Sequence, residues 1–180
     1  MTLPVLLSLA FLAHVLAAPA VLPQSDASKG YSYCTSTLSH YIHEDGSCYF
    51  SRPAQKHWYK AELDCRRFGG HLASLSSSNI APITKNLTEV HDTFWVGGVK
   101  GFAQSLDAVE LGPPAVNQDG WFWVDGSGVI DAELWHMRQP DDKGGAEFCT
   151  NLLAYQAKLN DIDCAHPSNK GIPAICQITP

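Results

Sequence analysis

Short oxygen-donor side chains crowd the stretch from Trp135 to Cys164. Gln139-Pro140-Asp141-Asp142 comes first, Glu147 stands two residues before Cys149, and Asn160-Asp161 leads toward Cys164. Carboxylates and amides of this kind are what Ca²⁺ gathers when it collects six to eight hard ligands. Gln139, Asp141, Glu147, Asn160 and Asp161 lie on two short segments that each run into a cysteine, a pattern that points to a small rigid cation cage. Gln-Pro-Asp alone is an ordinary surface turn; the register of Glu147 and Asn160-Asp161 with the cysteines sets this one apart. Other metal chemistry finds no footing, because no CxxC or HxxxH pair is present and His57, His71, His136 and His166 are scattered.

A cage needs a scaffold, and the chain is long enough to supply one domain with a real core. The clearest helix has Trp58, Ala61, Cys65 and Phe68 on one face, charged residues including Glu62 on the other, and Gly69-Gly70 as its stop. A second helix is expected after Ser76-Ser77-Ser78, with Ile80, Ile83, Leu87 and Val90 on its apolar face and Pro82 tolerated in its first turn. Beyond Asp92 the texture becomes β. Thr93–Gly98 and Trp121–Val124 are aromatic and β-branched, and Phe148–Leu153, Lys158–Ile162 and Ile172–Gln177 read as three further short strands. Gly101–Gly120 and Asp125–Pro140 show no periodicity and read as loop. Helices first and strands later make an α+β domain.

Composition narrows the function classes. Charged residues make up 17% of the chain, the net charge is -6 and no basic run occurs, which argues against nucleic acid and anionic membranes. Residues 1–20 read as a signal peptide, an apolar run from Leu3 ending in the small-residue patch Ala17-Ala18-Pro19-Ala20, so a secreted protein with no membrane insertion after cleavage is expected. Residues 21–33 read as a short polar extension. The six cysteines, Cys34, Cys48, Cys65, Cys149, Cys164 and Cys176, suit an oxidising compartment. A local Cys34–Cys48 bridge is the simplest pairing, and spacing leaves the rest open. Asn86-Leu87-Thr88 is an N-glycosylation sequon.

In order along the chain, Trp58-x-x-Ala61-x-x-x-Cys65, Gly69-Gly70-His71-Leu72-Ala73, Trp95-Val96-Gly97-Gly98, Gln139-Pro140-Asp141, Glu147-x-Cys149, Leu159-Asn160-Asp161-Ile162-x-Cys164 and the closing Cys176 resemble a C-type lectin-like domain over residues 34–180. The resemblance implies two helices, two small antiparallel sheets, a long loop region and disulfides Cys65–Cys176 and Cys149–Cys164. Cys34–Cys48 would mark the long form, as in secreted invertebrate-style single-domain lectins. It implies that Trp95 is structural, that Pro140 follows a cis peptide, and that Gln139, Asp141, Glu147, Asn160 and Asp161 ligate one Ca²⁺ while contacting sugar hydroxyls. Amide-then-acid order in Gln139 and Asp141 implies galactose-type glycans, although the loop Asp142–Ala146 lacks the stacking aromatic ring common in such relatives and leaves room for broader specificity. Asp142 matches a ligand of a further Ca²⁺ site, but Phe148 stands where an acid is expected, so that site is not expected in its usual form. The implied role is recognition or agglutination of microbial or cell-surface glycans in innate defence, with a homo-oligomer as the route to avidity. The competing reading is a sugar-independent domain of the same fold on a protein or mineral surface. No nucleophile with an activating base is present, so no enzyme is expected.

Overall fold

The computed structural model describes residues 27–36, 40–87, 91–101, 120–166 and 170–180. Three α-helices, α1 (Ala27–Ser36), α2 (Trp58–Arg67) and α3 (Ile80–Leu87), accompany eight strands. The strands are β1 (His40–Ile42), β2 (Cys48–Gln55), β3 (His71–Leu72), β4 (Thr93–Lys100), β5 (Trp121–Trp123), β6 (Glu147–Leu153), β7 (Lys158–Asp163) and β8 (Ile172–Ile178). The signal-peptide region, Val90 and residues 102–119 of the long loop lie outside the described residues.

The strands form one path, β1-β2-β8-β4-β6-β7, with β3 beside β8 and β5 beside β4. Every pairing is antiparallel except β4 with β8, which meet in parallel at Trp95↔Ala174. The two small antiparallel sheets expected from the sequence are therefore joined along this seam. Ala73 reinforces it with main-chain bonds alone: its N–H donates to the Ile175 carbonyl (2.8 Å) and its own carbonyl accepts from Gly97 (2.9 Å). Gly97 has to be a glycine here, because a Cβ would sit 2.6 Å from the Leu72 carbonyl oxygen.

Helix α2 buries Trp58, Ala61 and Cys65 as its period predicts, and Gly69 beyond its end takes the left-handed conformation (φ 82°). Glu62 departs from the expected polar face. It is buried beside β3, where its carboxylate accepts from the Leu72 N–H (2.9 Å) and pairs with His71 Nδ1 (2.7 Å). Ahead of α3, Ser76 and Asn79 cap reciprocally, Asn79 Oδ1 accepting from the Ser76 N–H (2.8 Å) and Ser76 Oγ from the Asn79 N–H (3.3 Å).

Helix α1 is the element the sequence did not announce, and it crosses from the expected extension into the domain. Tyr33 stacks on Phe68 with ring centroids 4.2 Å apart and meets Phe50 edge-on. Arg52 joins Tyr33 Oη (2.9 Å) to Asp64 (2.7 Å). The disulfides are Cys34–Cys48, Cys65–Cys176 and Cys149–Cys164, as the resemblance implies. Cys65 and Cys176 lie 111 positions apart, and closing a loop of that size in the unfolded chain is worth roughly 4–5 kcal/mol in the entropy picture. Trp95, Trp121 and Trp123 are core residues, and the Trp95 Nε1–H donates to the Gln55 carbonyl (2.9 Å).

Candidate functional site

Strands β6 and β7 form one wall of the site. Their register sets Asn160 opposite Asn151 and Asp161 opposite Thr150, and the Cys149–Cys164 disulfide ties the same two segments at the far end. The loop from His136 to Ala146 folds over this hairpin. It opens with a turn in which the Gln139 N–H donates to the His136 carbonyl (2.9 Å) and Arg138 takes a left-handed backbone (φ 72°). The Gln139-Pro140 peptide is cis.

Three carboxylates converge where loop and hairpin meet. Asp141, Glu147 and Asp161 each offer an oxygen within 4.8 Å of the other two. Asp161 is the deepest, with 1% of its surface exposed. Both its oxygens accept main-chain protons from the loop, Oδ1 from Asp141 (3.1 Å) and Oδ2 from Asp142 (2.8 Å). Glu147 Oε2 accepts from the Lys143 N–H (3.0 Å), and Gln139 Oε1 accepts from the Asp141 N–H (3.0 Å). The loop is thus wrapped around the acids by its own amides.

Asn160 stands beside Asp161 on β7. Its amide nitrogen donates to Asn151 Oδ1 (3.0 Å) and to the Asp161 carbonyl (2.6 Å), while Asn151 is fixed in turn by donating to Thr93 Oγ1 (2.6 Å). With its donor engaged, Asn160 has its carbonyl oxygen left to offer. Of the five sequence-predicted residues, the structure therefore gathers three acids into one cluster, ties Gln139 to it through Asp141, and sets Asn160 next to it.

The electrostatics of the cluster are unfavourable without a cation. Burial raises the pKa of Asp161, and its main-chain hydrogen bonds offset that only in part. Burial likewise raises Glu147, opposed by the Lys143 N–H and reinforced by the charges of Asp161 and Asp141. Like charges at this separation repel by roughly 3–4 kcal/mol per pair at a near-surface dielectric. A hard divalent cation reverses that sign, so the donor set fits Ca²⁺: all oxygen, mostly carboxylate, and pre-arranged.

Sequence reasoning missed Lys100, Asn151 and Thr93. Lys100 Nζ lies 2.9 Å from Asp142 Oδ2, and Asn151 and Thr93 orient Asn160. Nothing in local spacing marks any of them, since each is brought in by strand register.

The Lectin C-type domain family matches residues 54–178. The chain is 31% identical over 141 residues to the lactose-binding lectin l-2 of Anguilla japonica, covering 76% of this chain and 74% of that protein. Among solved structures, the mouse scavenger receptor C-type lectin carbohydrate-recognition domain superposes with a TM-score of 0.60 at 24% identity, covering 79% of this chain and 97% of that one. A calcium-independent type II antifreeze protein superposes with a TM-score of 0.58 at 22% identity, covering 79% and 93%. The family that matches is one of non-enzymatic lectins. Fold, disulfides and sequence together establish that this chain belongs to the C-type lectin domain family.

Proposed function

We propose that the chain is a secreted, Ca²⁺-dependent lectin that captures galactose-type sugars through Gln139, Asp141, Glu147, Asn160 and Asp161. The observation that carries this reading is the convergence of three carboxylate oxygens within 4.8 Å around a buried Asp161. Bound Ca²⁺ would supply open coordination positions to two adjacent sugar hydroxyls. The chain's own groups do the rest. Gln139 and Asn160 present neutral oxygens, Asp141 and Glu147 accept from hydroxyl protons, and Asp161 anchors the loop that carries the rim. The order of amide and acid across Pro140, together with a lactose-binding relative, supports galactose over mannose. Little apolar area would be buried, so a single site binds weakly and avidity comes from assembly of several chains. Glycan recognition at microbial or host surfaces in innate defence is the role we assign to such a protein. Asn86, exposed near the end of α3, is its glycan acceptor.

The test is retention on immobilised galactose, complete in Ca²⁺ and lost in EDTA, run beside the double variant Gln139→Glu/Asp141→Asn. The swap should shift preference toward mannose-type sugars; unchanged preference would count against the site.

One observation favours a second reading, a sugar-independent domain. The oxygens of Asp161 and one of Glu147 are already satisfied by main-chain N–H groups, an arrangement that can keep the loop's shape without metal. Binding to a protein or mineral surface that survives EDTA would select it.

A further inference from the structure

Asp142 is the junction of the loop. It adopts a left-handed backbone (φ 46°, ψ 48°), uncommon for a residue with a side chain. Its N–H donates to Asp161 Oδ2 (2.8 Å), its Oδ1 accepts from the Glu147 N–H (3.2 Å), and its Oδ2 meets Lys100 Nζ at 2.9 Å. One residue therefore connects the end of β4 to two members of the acid cluster, to Glu147 through its side chain and to Asp161 through its main-chain N–H. Lys100 sits over aromatic rings, its Nζ 5.8 Å from the Phe148 centroid and 6.0 Å from that of Trp121, a setting that favours a cation. Among the described residues, those around Asp142 make no second cation site. The ammonium already faces Asp142, and Phe148 offers a ring where an oxygen would be needed.

We propose that Lys100 performs, from within the chain, the loop-holding task an auxiliary metal ion would otherwise perform at Asp142, so that the cage works with a single divalent cation. Both partners belong to this chain, so the pairing itself needs no ion. Lys100 is a positioning residue. It acts on Glu147 and Asp161 through Asp142, and its half of the arrangement is independent of the lectin reading; the count of one cation rests on that reading.

The experiment has two arms on the full chain. In EDTA, amide exchange is followed at Asp142, Lys143 and Glu147 in the wild type, Lys100→Met and Lys100→Arg. Methionine keeps the aliphatic stem but removes the charge, and these amides should exchange at least about threefold faster, with arginine restoring most of the protection. In the second arm, titration calorimetry should find one Ca²⁺ per wild-type chain. Lys100→Met should bind that ion about three- to tenfold more weakly, although removing a nearby positive charge would by Coulomb attraction alone tighten binding. Equal exchange rates in Lys100→Met would overturn the loop-holding role, as would tighter Ca²⁺ binding. Two ions per wild-type chain would overturn the single-cation arrangement. A wild type that binds no Ca²⁺ would remove the cage reading, and the EDTA arm then decides the role of Lys100 on its own.

Discussion

Asp161 and Glu147 give the site its pH dependence. Burial is the largest cause of the raised pKa of both. A cation needs both ionised, so protons and Ca²⁺ compete, and affinity should begin to fall above the ordinary carboxylate range of about 4. Without metal the sign is opposite. The folded cage binds protons more readily than the unfolded chain, so these groups favour folding at low pH, and that contribution is lost as pH rises through their raised folded values. The gap between the melting temperatures in Ca²⁺ and in EDTA should therefore be wide near neutral pH and close on acidification. A gap that stays constant from about pH 7 to about pH 4.5 would contradict the assignment of these two acids as ligands. His71 titrates for a different reason, its pairing with the buried Glu62. Burial lowers its pKa, but the hydrogen bond and charge of Glu62 outweigh that and leave it raised.

Elements were legible where local pattern and tertiary role agree. The apolar period of α2 and α3 survives in the fold because the same faces are buried, and the last three strands lie within a residue or two of their expected ends. Helix α1 was not legible, since Ser28, Lys29 and Gly30 carry no helical period; contacts of Tyr33 with Phe68 and Arg52 hold it. The cage splits the same way. The clustered acids Asp141, Glu147 and Asp161 stand out beside the cysteines in the sequence, whereas Lys100 and Asn151 depend on which strands become neighbours. At this scale the seam between the sheets makes a sharp forecast. Gly97→Ala forces a methyl against the Leu72 carbonyl, and overpacking of this kind costs about 1–3 kcal/mol. The midpoint of urea unfolding should drop accordingly, and an unchanged midpoint would mean the seam can yield.

For the whole molecule, family membership follows from motifs spread from Trp58 to Cys176, which no single element could have supplied. Among the described residues no helix is long and apolar enough to cross a membrane. On the proposed reading, a domain with a single cage among its described residues should hold galactose weakly as a monomer. Agglutination of galactose-bearing cells should therefore track the oligomeric fraction separated by size exclusion; agglutination by an isolated monomer would show that a second sugar site exists.

The strand order has a practical meaning for how the protein presents its site. Helix α1 packs on the β2/β8 side and the chain's last strand is β8, while β7 lies at the opposite edge of the path. Three interstrand steps, about 14 Å, separate β8 from β7. A carrier, label or solid support joined after Pro180 thus attaches beyond β8, three strands away from β7. A fluorescent protein fused there should leave Ca²⁺-dependent retention on galactose unaltered, so the domain can serve as a tethered reagent; loss of retention on fusion would show that β8 and β7 communicate.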